Sequence, residues 1–237
     1  MVELVLSPNW FLKKEIWMCI FSVLTLLLIA AFSLRFYFFK KQDNQNYLYF
    51  GLSFLIIAIS FLSKIVTNFS LSYSTEITKT FGFLTITYKT VRVSNILFLA
   101  GHYAHYLLLL IGLYILYLIL NKKSTMNHIL ILYLIIIATV FSRYAHFVSH
   151  LTALILLGMI AYIYYRKCRE NRNQITKLLF VSFTIWAASQ AIFIFAYYHG
   201  TIYVVSQIIQ LVGFVLLLIA FILVLKNGKK KQNRHHK

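Results

Sequence analysis

Four histidines stand inside apolar stretches of this chain, His102 and His105 in "GHYAHY" and His146 and His150 in "RYAHFVSH". The spacings are i,i+3 and i,i+4, so on helices each pair shares a face. Imidazole nitrogen is a ligand for Zn, Cu and Fe, and two facing pairs from two helices are enough for a metal or a haem. The candidate metal ligands are therefore His102, His105, His146 and His150. For haem b the candidate set is His105 and His150, with Arg92 and Arg143 as cations for the propionates. Two other readings stay open. The rings can hydrogen-bond across helices to Tyr, Ser and Gln and fasten a bundle with no cofactor. They can also border a ligand pocket with Asn95, Gln190, His199, Gln207 and Gln210, the last two again i,i+3.

The elements that carry these residues follow from composition. A chain of 237 residues that is 61% hydrophobic and only 12% charged has too little polar surface to cover a water-soluble domain. An all-α integral membrane protein is expected. Uncharged apolar runs able to cross ~30 Å of hydrocarbon cover Ile16 to Leu34, Tyr47 to Ser63, Ile96 to Leu120, Leu178 to Tyr198 and Ile202 to Leu225. Ile129 to Ser142 and Tyr144 to Tyr165 are parted only by Arg143. As one helix they would be roughly 55 Å long, so a tight helical hairpin is expected and the total is seven spans. The domain reading is an N-terminal segment 1–15, a membrane domain 16–225 and a basic tail 226–237.

Basic residues in short loops stay on the cytoplasmic side. With the C-terminus inside, sixteen of the 23 Lys and Arg lie on that side, including Arg35, Lys40, Lys41, the Arg166 to Lys177 cluster and the tail. Lys13, Lys14, Lys64, Lys79, Lys89, Arg92 and Arg143 face outward, and the N-terminus is outside. Lys13 and Lys14 before an apolar run ending "IAAFS" have the look of a signal peptide. The stop-transfer cluster that follows makes a retained first span the expectation. The net charge of +18 reads as topology and attraction to anionic lipid at the cytoplasmic face, without the aromatic interleaving of a nucleic-acid surface.

Counted from the inner charge boundaries, His102 lies 20 residues before Lys122 and His146 lies 20 before Arg166, which puts them at one level. His105 and His150 lie about one turn deeper, and all four fall in the outer leaflet. The outer loop Ser72 to Asn95 is Thr-rich and nearly alternating, so a short β-hairpin turning at Phe81–Gly82 is expected. The five carboxylates, Glu3, Glu15, Asp43, Glu76 and Glu170, fall outside the expected spans. That argues against an acidic proton relay, an ion-driven transporter and metal-assisted hydrolysis. The last span has no lysine for a retinal Schiff base.

The sequence reading is thus a seven-helix protein of the cell membrane, N-terminus outside, without a soluble catalytic domain. Its histidine-rich outer-leaflet site suits a metal- or haem-binding sensor or redox component that acts through a cytoplasmic partner. The alternative is a ligand-binding receptor or a purely structural membrane subunit.

Overall fold

In a bilayer each backbone N–H and C=O must find its partner within the protein, which leaves helices as the natural form for long apolar segments. The computed structural model describes residues 11–40, 45–72, 76–81, 84–89, 92–121, 125–142, 145–171, 173–196 and 199–235. These form α1 (Leu12–Lys40), α2 (Gln45–Ser72), β1 (Glu76–Phe81), β2 (Leu84–Lys89), α3 (Arg92–Leu120), α4 (Thr125–Phe141), α5 (His146–Asn171), α6 (Gln174–Ile194) and α7 (Gly200–His235). Among the described residues, six of the seven helices are long and apolar enough to cross a membrane. The exception is α4, whose 17 residues span about 25 Å at 1.5 Å per residue.

The contacts close the six long helices into a ring: α1 packs on α2 and α7, α2 on α3, α3 on α5, α5 on α6, and α6 on α7. Helix α4 leans on this ring from outside, among the described residues against α3 and α5 only. It buries the single stripe Ile131, Ile135 and Ala138 and leaves Ile129, Leu130, Tyr133, Ile136 and Val140 exposed. Similar apolar side chains, Trp17, Phe21, Leu52, Leu62, Ile155 and Val212 among them, line the outside of the other helices. A surface so continuously apolar belongs against lipid, since soluble monomers rarely expose large apolar patches.

The expected break at Arg143 lies outside the described residues, but the helices on either side of it are separate. Helix α4 ends at Phe141 and α5 begins at His146, with Ala145 N–H donating to the Phe141 carbonyl at 2.8 Å. At its other end α5 gives way to α6, whose first turn is capped by Asn173 accepting from Ile175 N–H at 3.1 Å. Residues from Lys226 onward, expected as a separate tail, continue α7 as far as His235. Strands β1 and β2 pair antiparallel from Glu76 opposite Lys89 to Phe81 opposite Leu84; Gly82 lies outside the described residues.

Inside the ring, close approach is set by small residues. A Cβ placed on Gly112 of α3 would collide with Ile57 Cγ1 and meet the Ser53 carbonyl at 3.1 Å, and one on Gly101 would collide with Thr67 Oγ1. Helices α2 and α3 therefore touch almost backbone to backbone. One half of the ring is filled by Leu26, Ile29, Phe54, Ile57, Leu110, Leu113, Leu157, Phe183, Phe214 and Leu217. The buried hydroxyls within the helices mostly satisfy themselves on the preceding turn, as Ser22, Thr139, Thr152 and Ser182 do on the carbonyls four residues back.

Candidate functional site

Polar chemistry gathers at the end of the ring where α1, α3, α5 and α7 begin and α2 and α6 finish. Tyr106 of α3 is its centre. Its hydroxyl lies 2.9 Å from Nδ1 and 3.1 Å from Nε2 of His146, and 3.4 Å from Nε2 of His150. A phenol has one proton to give and lone pairs to accept with, so the two imidazoles share one hydroxyl. His146 and His150 stack at 5.0 Å between centroids, and His150 stacks on Phe193 of α6 at 4.8 Å. On its other side His150 Nδ1 meets Gln190 Oε1 at 2.8 Å. The amide oxygen only accepts, so Nδ1 carries a proton, and the ring ties α3, α5 and α6 together.

His102 stands beside His146, with ring centroids 5.9 Å apart. Ser142 donates its proton to the Thr139 carbonyl at 2.7 Å, so its oxygen accepts from His102 Nε2–H at 3.3 Å. His105 does otherwise. It turns to α2, where Nδ1–H donates to the Ser60 carbonyl at 2.9 Å, and its ring meets Phe61 edge-on at 5.5 Å. The expectation that both α3 rings face the α5 pair is corrected here. At 100° per residue, position 106 is only about 40° round the helix from His102, whereas position 105 is about 60° away on the opposite side. Tyr106 therefore takes the place facing α5. Among the described residues no group of three or more His, Cys, Asp or Glu side chains is arranged to hold a metal ion.

A second polar centre adjoins the first and was missed in the sequence. Glu15 of α1 is only 1% exposed, and its Oε1 lies 3.0 Å from the Lys64 ammonium of α2. The Tyr203 hydroxyl of α7 donates to the same oxygen. Gln207 Nε2 donates in turn to the Tyr203 oxygen at 3.2 Å, and the Lys64 ammonium sits 5.4 Å from the Tyr203 ring centre. The placing of every carboxylate outside the spans is thereby overturned for Glu15. Helix α1 starts before it, and a buried carboxylate and ammonium are tolerable because each is the other's counter-ion and both are further hydrogen-bonded or ring-stacked. Phe193 joins the two centres, its ring stacked on His150 at 4.8 Å and edge-on to Tyr203 at 5.5 Å.

The remaining candidates separate. Gln190 joins the histidines, Gln207 joins the ion pair, and Gln210 is buried one turn further along α7. His199 is exposed just before the first turn of α7. Arg143 lies outside the described residues, as do the side chains of Arg92 and Asn95. Tyr106 was the legible omission. It follows His102 at i+4 in the quoted motif, the spacing that already marked His146 and His150 as neighbours.

All six long helices supply a polar residue to this end. Such an arrangement can hold helices in a fixed relation, accept a ligand with several hydrogen-bonding groups, or offer imidazole lone pairs. No protein family, no curated protein and no solved structure matches the chain.

Proposed function

We propose that this chain is a multi-pass membrane receptor or sensor, N-terminus outside, whose polar outer half is the responsive centre and whose signal leaves through a partner at the basic cytoplasmic face. The observation that supports this most is the Tyr106 hydroxyl shared by His146 and His150, with His150 held to Gln190. Contacts between three helices run through two imidazoles and one hydroxyl. A ligand that takes one of those hydrogen bonds for itself must loosen the others, which turns binding into helix displacement. The apolar half below gives such a ligand no way through, so the design suits signalling more than transport.

Orientation and access are tested by cysteine labelling with an impermeant thiol reagent. Cys168, near the basic end of α5, should label only from the cytoplasmic side, and a His102→Cys variant only from outside. The reverse pattern would sink the orientation, and a His102→Cys unreactive from both sides would sink access to the polar half.

A second reading, a metal- or haem-binding sensor or redox component, draws on one specific feature. His105 and His150 each give Nδ1–H to a protein oxygen, the arrangement that in metal sites fixes the tautomer and leaves Nε2 for the ion. Close to one Fe, Cu or Zn per purified chain, or a haem absorption band, lost in His150→Ala, would favour it. Metal-free, colourless protein that stays so after addition of haem, Cu or Zn would leave the receptor reading alone.

A further inference from the structure

We propose that the polar end of α5 carries a binding site for the phosphate of an anionic phospholipid headgroup. The inference rests on the membrane reading of the fold and is independent of the histidine centre. A concave surface of about 470 Å³ is lined by Tyr162, Tyr165, Arg166, Arg169 and Glu170. Their spacing from Tyr162, i+3, i+4, i+7 and i+8, makes them one stripe along the helix. The stripe runs from the apolar span into its polar end, as a lipid does from acyl chain to headgroup.

Each residue has a part in it. Tyr162 and Tyr165 are exposed at the level where aromatic rings settle at the membrane–water boundary. Tyr165 is steadied by Phe180 of α6, with centroids 5.6 Å apart, so that wall of the concavity is fixed. Arg166 and Arg169 are exposed, and neither guanidinium forms an ion pair among the described residues. Two planar forks one turn apart can take the non-bridging oxygens of a single phosphate bidentately, which a lysine does not do. Lys167 turns elsewhere, its ammonium 5.7 Å from the ring of Tyr164, which is itself stacked on Phe183. Glu170 closes the polar end with a carboxylate that accepts from headgroup hydroxyls. The site therefore fits a hydroxyl-bearing anionic lipid such as a phosphatidylglycerol.

Native mass spectrometry of the full chain, released from detergent after incubation with equal phosphatidylglycerol and phosphatidylcholine, tests this. Wild type should retain phosphatidylglycerol preferentially, and R166Q/R169Q should bind it about thirtyfold more weakly. Removing two exposed charges elsewhere, K177Q/K226Q, should leave retention unchanged. Tyr162→Leu should weaken binding without altering the charge. Equal retention of the two lipids, or equal loss in both double variants, would reduce the site to diffuse attraction and overturn the proposal. Displacement of the lipid by inorganic phosphate would overturn it in favour of a soluble phosphate ligand.

Discussion

The two halves of the ring are held together in opposite ways. The apolar half has many contacts and no special ones: Leu26, Ile29, Phe54, Leu110, Leu157, Phe183 and Phe214 fill it, and glycines bring α2 and α3 into close contact. The polar half depends on a few named bonds, each between residues far apart in the chain. Lipid is as apolar as leucine, so the first half gains from fit, whereas the second gains from hydrogen bonds and charges that have no water to turn to. Damage should therefore be graded in the apolar half and steep in the polar half.

The ion pair gives the sharpest contrast. Lys64→Met should destabilise the fold by about 3–5 kcal/mol, because it removes the ammonium that offsets the buried Glu15 carboxylate, while Lys64→Met with Glu15→Leu should recover most of that loss. Thermal unfolding in detergent reads both; a single variant as stable as wild type would show the pair to be incidental. In the apolar half, Gly112→Ala should cost about 1–3 kcal/mol, since its methyl group would collide with Ile57 and press on the Ser53 carbonyl. Gly158→Ala is the matched control. Among the described residues its added Cβ meets no packing neighbour within 4 Å, and the change should be neutral or slightly stabilising in the same assay. Smaller than the cost of Gly112→Ala is the loss of one histidine contact. Gln190→Leu should lower stability by about 0.6 kcal/mol, the usual scale for an interhelical hydrogen bond in a membrane. A loss as large as that of Lys64→Met would mean that the Tyr106 network behaves as one unit.

The same division explains what was readable beforehand. Apolar runs are local, so the helices and the separation of α4 from α5 follow from the chain alone. The pairing of Glu15 with Lys64 does not. Each residue stands just beyond an uncharged run, at Ile16 and at Ser63, and a span drawn to its first charge excludes both; the helices continue to Leu12 and Ser72. Nothing within one sequence says that residues 15, 64 and 203 converge, for that depends on the ring closing α1 onto α7. The partners of the histidines were hidden for a narrower reason. Spacing says which residues of a helix share a face, but not which neighbouring helix that face meets, so His105 was assigned to α5 when its partner is on α2.

Trp186, wholly buried between Phe183 and Phe214, has an indole N–H that meets no hydrogen-bond acceptor among the described residues. It lies one turn from Gln190, at the seam between the two halves. Light makes this residue a gauge. With Trp10 and Trp17 replaced by Phe, the chain would fluoresce from that single indole, at the blue end of tryptophan emission while the seam stays shut. Any stimulus that parts α6 from α7 would move the colour toward red, so the molecule carries its own lamp for finding what it answers to.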